Sequence, residues 1–161
     1  MKKLMMIAAM VLMSTGAFAQ EAGMKAVGAT FSDYLDSDSR IAIGAKFQYS
    51  FTENMRGEFD FKLYPPKWHS ILWNPTVNFH YLFPIIDKLY VYPLAGVGVL
   101  GYYNSDTEYS STIFTVKFGS GAEYYITEKF KGIFETYYQV AKKDNLKYSD
   151  PIISIGAGYI F

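Results

Sequence analysis

The sequence predicts an all-β protein, a closed antiparallel up-and-down β-barrel of about eight strands. Three observations predict this fold: apolar and polar residues alternate with a period of two, turn signals recur regularly, and short and long connections alternate along the chain. The chain has 161 residues, enough for one domain. Half of them are hydrophobic and 19% are aromatic, which excludes an intrinsically disordered chain.

The alternation is clearest in two stretches of the N-terminal half. From Ile41 to Phe51 the odd positions are Ile, Ile, Ala, Phe, Tyr and Phe, whereas the even positions between them are Ala, Gly, Lys, Gln and Ser. From Arg56 to Leu63 the odd positions are Gly, Phe, Phe and Leu, and the even positions are Arg, Glu, Asp and Lys. Because successive side chains of a strand point to opposite faces, each stretch predicts a strand with one apolar face.

Turn signals divide the rest of the chain in the same rhythm. Short turns follow the second, fourth and sixth predicted strands, longer polar stretches fall between them, and no long repeat is evident. Pro93 lies inside the fifth predicted strand, where we expect a bulge or a missing ladder bond. The predicted strands are 24–34, 41–51, 56–64, 71–83, 89–103, 112–126, 130–141 and 151–161.

The N-terminus predicts export. Residues 1–3 form a basic start, an apolar run follows from Leu4 to Met13, and Ala17-Phe18-Ala19 has the small-x-small form of a signal peptidase site. The run is too short to span a bilayer, which takes about 20 residues. We therefore expect 1–19 to be a cleaved secretory signal peptide and 20–161 to be the barrel domain.

The direction of the apolar face separates a soluble ligand-binding barrel from a transmembrane barrel. The lumen of eight strands is only just filled by ordinary side chains and could not hold the many Phe and Tyr of the apolar set. Aromatic residues also gather where strands end, as in the interface girdles of membrane barrels. The set predicted at one rim is Tyr49, Phe51, Tyr81, Phe83, Tyr90, Tyr124, Phe130 and Tyr159. The sequence therefore predicts a transmembrane β-barrel.

The last residues of the chain are similar to the C-terminal signature of bacterial outer-membrane barrels. The signature is a polar residue, a glycine two further on, an aromatic residue three after that and a terminal Phe, matched here by Ser154, Gly156, Tyr159 and Phe161. The size and the loop alternation resemble the eight-stranded OmpA/OmpX-like barrels, as a barrel domain alone. The resemblance implies a place in the bacterial outer membrane, contact with its lipids, and recognition of these four residues by the barrel-assembly machinery.

The even positions predict a polar interior. Unpaired charges in a narrow lumen would be costly, so we expect these side chains to pair and plug it, although the same residues could form a conduction path. The predicted interior network is Lys46, Arg56, Glu58, Asp60, Lys62, His80, Lys117, Glu123 and Glu135.

The residues also argue against several other functions. The deacylase-type barrel enzymes use a His and a Ser two apart on one strand face; no such pair occurs here, so we expect no catalysis. We expect His80 to be an interior hydrogen-bonding residue and His69 a solvated loop residue. Two scattered histidines and no cysteine predict neither a transition-metal site nor a cofactor. Fifteen basic and fifteen acidic residues argue against nucleic-acid binding through a basic face.

The predicted outer loops remain as a binding surface. Two of them are acidic and could offer calcium ligands, but hydrated loop ends are the better interpretation of Asp36, Asp38, Asp106 and Glu108. We expect a monomeric barrel with a structural or surface-interaction role and an extracellular partner that the sequence does not identify. A small channel for ions or solutes is the alternative, and a lipid-A-modifying enzyme is the third.

Overall fold

The computed structural model describes residues 21–35, 40–67, 70–104, 109–143 and 146–161, so the predicted signal peptide lies outside the described residues. Among the described residues, no helix is long and apolar enough to cross a bilayer. The strands are β1 (Lys25–Tyr34), β2 (Ile41–Ser50), β3 (Met55–Lys67), β4 (Ser70–Tyr81), β5 (Phe83–Ile86), β6 (Leu89–Asn104), β7 (Tyr109–Tyr125), β8 (Phe130–Lys143) and β9 (Leu146–Ile160).

The strands form one closed antiparallel sheet. Neighbours in the chain pair with each other, except that β4 and β5 both pair with β6, and β9 returns to pair with β1, where Gly156 lies opposite Thr30. The short β5 continues β4 in the same register against β6, because Phe83 lies opposite Val91 just as His80 lies opposite Leu94. The prediction of an all-β closed barrel is confirmed, as eight main strands with one short extra strand.

Pro93 interrupts the barrel wall, as expected. The pairing of β4 and β5 with β6 skips Tyr81 and Leu82, which the register places opposite Pro93 and Tyr92. A proline has no backbone N–H to give to the ladder. On the other side of the strand, the N–H of Leu82 donates to the carbonyl of Asn54, at 2.7 Å, in line with the pairing of β3 and β4. The predicted continuous strand 71–83 is therefore split into β4 and β5.

A second proline on the same seam was not singled out from the sequence. Pro75 of β4 stands opposite Val99 of β6 in the register, and the pairing is missing there too. The amide Nδ2 of Asn74 donates to the carbonyl of Val99 at 2.7 Å. Since buried backbone carbonyls need a partner, Asn74 supplies the donor that Pro75 lacks.

The strands extend further at the end of the long loops than the sequence predicted. Strand β3 reaches Lys67 instead of residue 64, and β9 begins at Leu146 instead of residue 151. The prediction relied on apolar alternation, and beyond the lipid a strand needs no apolar face. Backbone pairing therefore continues there, although the sequence shows no apolar alternation that would predict it.

The two faces of the wall differ as the alternation predicts. On β3, Phe59 is 47% exposed on the outer surface while the neighbouring Asp60 is 0% exposed inside. One rim assignment is wrong: Tyr90 points inward and is buried. It belongs to an apolar cluster near the short turns with Leu82, Tyr125 and Ile160. Tyr90 has inward parity on β6, so the strand pattern could have shown this.

Candidate functional site

The barrel interior gathers all nine residues of the predicted network. Each lies on the inward face of its strand and is buried. The network has a tenth member, the charged residue Lys131, which was missed because it is the second residue of β8, directly after a turn. Lys131 has the same parity in β8 as Glu135, so its inward position could have been predicted from the sequence. Five basic side chains thus face four carboxylates in the described interior.

Glu123 of β7 is the centre of the cluster nearest the short turns. Both of its oxygens accept hydrogen bonds from Nη1 of Arg56, at 2.9 and 2.8 Å, across the lumen. Nζ of Lys131 donates to the same carboxylate at 3.0 Å, and the hydroxyl of Tyr125 donates at 3.2 Å. One carboxylate therefore holds two cations from different strands, β3 and β8.

Lys46 of β2 is the centre of the next cluster. Its Nζ lies 3.1 Å from Glu58 and 2.6 Å from Glu135, which come from opposite sides of the barrel. Glu58 also accepts a hydrogen bond from Gln48, at 2.7 Å, and Glu135 accepts one from Tyr92, at 3.0 Å. The bridge thus links β2, β3, β6 and β8 at one level of the lumen.

Asp60 of β3 anchors the third cluster. Its Oδ2 lies 3.0 Å from Nζ of Lys117 and 3.3 Å from Nζ of Lys62. Both lysines also lie against the ring of Tyr137, at 4.9 and 4.7 Å from its centroid, and Lys62 donates to its hydroxyl. The aromatic ring thereby offers the two ammonium groups a further favourable contact.

His80 connects the first two clusters. Its Nδ1 accepts a hydrogen bond from Nε of Arg56 at 3.3 Å, and its ring stacks on that of Tyr92 with centroids 4.7 Å apart. This is the interior hydrogen-bonding position expected for it. Its Nε2 is 3.8 Å from Glu58, beyond hydrogen-bond distance.

The structure also brings together three side chains that the sequence did not connect. Glu58, His80 and Glu135 each offer an atom within 4.8 Å of the others, the spacing of a metal-ligand group. The ammonium of Lys46 already lies between the two carboxylates, within 3.1 Å of both. The cation at this position is therefore one of the protein's own side chains.

The inward faces of β1 and β9 carry many small residues, which leave room for long side chains. On β9, a Cβ at Gly158 would lie 3.3 Å from Cγ and Cε of Lys131. The stem of Lys131 thus runs across the face of Gly158 to reach Glu123. The other small inward residues of β1 and β9 are Ala26, Gly28, Thr30, Ser32, Ser154 and Gly156. The long side chain of Lys131 thus occupies the space that a side chain at position 158 would need.

The four C-terminal signature residues fall on the two faces of β9. Ser154 is buried and its hydroxyl lies 3.0 Å from that of Ser32 on β1. A Cβ at Gly156 would lie 2.4 Å from the carbonyl oxygen of Ala29, so β1 and β9 meet closely there. Tyr159 faces outward against Phe130 with ring centroids 5.1 Å apart. The Phe161 N–H donates to Lys25, while its side chain is exposed.

The remaining sequence candidates lie outside the described residues. They are His69 and the acidic loop residues Asp36, Asp38, Asp106 and Glu108.

Comparisons with known proteins agree with this geometry. A family model for the outer membrane protein beta-barrel domain matches residues 5–161. The N-terminal β-barrel domain of OprF from Pseudomonas aeruginosa superposes with a TM-score of 0.69 at 20% identity, covering 88% of this chain and 100% of that chain.

Two other solved barrels show the same fold. OprG from Pseudomonas aeruginosa has a TM-score of 0.63 at 15% identity and covers 91% of this chain and 99% of its own. Ail, the attachment invasion locus protein of Yersinia pestis, has a TM-score of 0.55 at 18% identity, with 87% and 99% covered. The search of curated proteins found no match.

Proposed function

We propose that this chain, which belongs to the outer membrane protein beta-barrel domain family, acts as a plugged barrel. It is an integral OmpA/OmpX-like protein of the bacterial outer membrane. Its role is structural or that of a surface-interaction protein, and its extracellular loops provide the contact surface. It works as a monomer surrounded by outer-membrane lipids, and it binds neither nucleic acid nor a cofactor.

The observation that carries the proposal is the paired interior. Every carboxylate of the described lumen has at least one cation within 3.1 Å, and three of the ion pairs, Lys46–Glu135, Arg56–Glu123 and Lys117–Asp60, join strands that are not neighbours in the barrel wall. An ion crossing the lumen would have to separate these pairs, and leaving a buried charge without its partner costs about 3–5 kcal/mol. The apolar cluster of Leu82, Tyr90, Tyr125 and Ile160 adds a second obstruction near the short turns.

Single-channel recording tests the plug. The refolded protein is incorporated into vesicles, its folded state is checked by the gel mobility of unheated samples, and the vesicles are fused to a planar bilayer. We expect little or no steady conductance. The OprF barrel domain, a structural relative of similar size, is recorded in parallel. Stable and uniform openings in most insertions would contradict the plug and support the alternative, a small channel.

The interior also supports a role without catalysis. His80, the histidine of the described lumen, is fully buried and receives its hydrogen bond from Arg56. A serine hydrolase needs its histidine beside a hydroxyl that substrate can reach. We expect lipid A to stay unmodified in cells that overproduce the protein. A new lipid A species that depends on His80 would contradict this expectation.

We propose further that Ser154, Gly156, Tyr159 and Phe161 are read by the barrel-assembly machinery. The side chain of Phe161 contributes little packing energy to the finished barrel, because it is 62% exposed and even full burial of a Phe is worth only ~1.5–3 kcal/mol. Deleting Phe161 should therefore lower outer-membrane accumulation in cells, while the purified chain refolds nearly normally in lipid. Normal accumulation of the deletion variant would contradict the proposal.

A further inference from the structure

Two tyrosines meet at the end of the barrel that carries the long loops. Tyr34 is the last residue of β1, and Tyr64 lies in β3. The hydroxyl of Tyr34 donates a hydrogen bond to the hydroxyl of Tyr64 at 3.1 Å, and the ring centroids lie 5.4 Å apart with 38° between the planes. Since the hydroxyls are closer than the centroids, the rings converge at their hydroxyl ends. The ring carbons next to the hydroxyl-bearing carbons are therefore brought close together as well.

A small residue on the strand between them allows this contact. Strand β2 separates β1 from β3, and its inward residue at this level is Ala42, which is buried and pairs with Ser32. The register of β2 and β3 places Ala42 beside Tyr64. A methyl group is too short to separate two rings that reach over it. On its other side, Tyr34 lies opposite the buried Ile152 of β9, so apolar contacts hold the pair in place.

The two tyrosines differ in their exposure to solvent. Tyr34 is partly exposed, whereas Tyr64 is buried, so a dissolved oxidant reaches Tyr34 first. Oxidation of a phenol by one electron also removes its hydroxyl proton, which together amount to one hydrogen atom. Because a hydroxyl both donates and accepts, the hydrogen bond allows a hydrogen atom to pass between the two oxygens. A radical formed at Tyr34 can therefore take a hydrogen atom from Tyr64.

We propose that Tyr34 and Tyr64 form an oxidative modification site, at which a one-electron oxidant made from hydrogen peroxide by a peroxidase joins the two rings as dityrosine. The oxidant takes a hydrogen atom from Tyr34, which recovers one from Tyr64 and is then oxidised again. The two radicals form a carbon–carbon bond between ring positions ortho to the hydroxyls, and the hydrogen of each bonded carbon moves to the oxygen of its own ring. Two tyrosines thus lose two hydrogen atoms, which convert one hydrogen peroxide into two waters.

Sulfur side chains, which compete for oxidants, lie far from this pair. The sequence has no cysteine. After the predicted signal peptide its methionines are Met24 and Met55, and both lie beside the short turns, at the opposite end of the barrel. An oxidant that arrives from the side of the long loops is therefore not consumed by a neighbouring sulfur atom before it reaches Tyr34.

A second tyrosine pair provides an internal comparison. Tyr90 and Tyr125 lie at the end of the short turns, also with ring centroids 5.4 Å apart, but their planes are inclined by 61° and both residues are buried. The hydroxyl of Tyr125 donates to Glu123. If distance alone decided the reaction, both pairs would be joined. If the reaction also requires exposure and the direct hydrogen bond, the pair of Tyr34 and Tyr64 is favoured.

The new bond would fasten β1 to β3 across β2, at the end of the barrel from which the long loops leave. It closes a covalent loop from Tyr34 to Tyr64 that contains the whole of β2. A cross-link that closes a loop restricts the unfolded chain more than the folded one, as a disulfide does. The modified barrel should therefore unfold at a higher urea concentration than the unmodified one. The plugged lumen and the loop surface of the proposed function do not depend on this bond.

The test identifies the product directly in the wild-type chain. The barrel, refolded in lipid vesicles, is treated with a peroxidase and hydrogen peroxide and then digested with trypsin. Tyr34 falls in the tryptic peptide 26–40 and Tyr64 in 63–67, and neither peptide contains another tyrosine. We expect these two peptides, joined with the loss of two hydrogen atoms, to be the main dityrosine product. Absence of the joined peptides, or dityrosine mainly between separate chains or at other tyrosines, would overturn the proposal.

Variants that keep the ring and remove the hydroxyl complete the test, with folding checked by the gel mobility of unheated samples. Tyr34→Phe and Tyr64→Phe should each lose most of the dityrosine fluorescence of treated wild type, whereas the matched control Tyr90→Phe should retain it. Wild-type fluorescence in Tyr34→Phe, or its loss in Tyr90→Phe, would overturn the proposal. Treatment should also raise the urea midpoint of wild type but not that of Tyr34→Phe. An unchanged midpoint in cross-linked wild type would refute the fastening of β1 to β3.

Discussion

The two faces of strand β3 place opposite demands on neighbouring residues. Arg56, Glu58, Asp60 and Lys62 point into the lumen and are at most 3% exposed, whereas Phe59 and Leu63 are nearly half exposed on the lipid side. Outside, any apolar side chain of suitable size satisfies the bilayer. Inside, each charge depends on a particular partner, and for Arg56 that partner is Glu123, on a strand that is distant in the chain.

This difference implies that the interior is specific and the exterior is tolerant. Changing an inner residue leaves its partners buried without compensation, so the cost depends on how many partners it has. Changing an outer residue alters one contact with lipid, so the cost depends on polarity and depth.

The largest effect is expected at Glu123, which compensates two cations. Glu123→Gln keeps the side chain's shape but leaves Arg56 and Lys131 without their carboxylate. The loss of one partner of a buried pair costs about 3–5 kcal/mol, so the free energy of unfolding should fall by that amount. Urea titration of the barrel in lipid vesicles, followed by gel mobility, measures it.

The matched control is Glu128→Gln in the exposed turn, which should stay within about 0.5 kcal/mol of wild type. A loss at Glu123 no larger than this would show that the interior charges are hydrated rather than mutually dependent.

A somewhat smaller effect is expected on the lipid side. Phe59 lies mid-strand on the outer face, where an Arg costs about 2–4 kcal/mol at the bilayer midplane. Phe59→Arg should therefore destabilise the barrel in vesicles by that amount. Ile126→Arg serves as the control, because Ile126 is outward-facing but lies at the rim, where the cost falls to about 0–1 kcal/mol. Equal costs at both sites would contradict the depth of Phe59 or its orientation.

The same contrast explains what the sequence could predict. The fold, the polar interior and the faces of β2 and β3 follow from alternation, which is a property of each strand alone. The partners of Arg56 and Lys46 do not, because they depend on which strands meet across the lumen and how far each side chain reaches. Lys131 was missed and Tyr90 misplaced for a simpler reason: both lie at the first residues of a strand, where the pattern is shortest.

The smallest of the predicted effects concerns the wall between the two faces. Asn74 donates to the carbonyl of Val99 opposite Pro75, and the side chain of Asn74 is buried. Asn74→Ala leaves that carbonyl without this donor, which should cost about 1–3 kcal/mol of unfolding free energy. The cause would be lost backbone satisfaction, distinct from the charge pairing inside and the lipid contact outside. Urea titration in vesicles measures it.

A double-mutant cycle with Pro75→Ala isolates that cause. An alanine at position 75 restores a backbone N–H opposite Val99, so it can replace the donor that Asn74 supplies. Asn74→Ala should then cost clearly less in the Pro75→Ala background than in wild type, and the difference is the coupling between the two residues. If the cost is the same in both backgrounds, Asn74 contributes through packing or through its contact with Thr115, 3.5 Å away, and does not compensate for the proline.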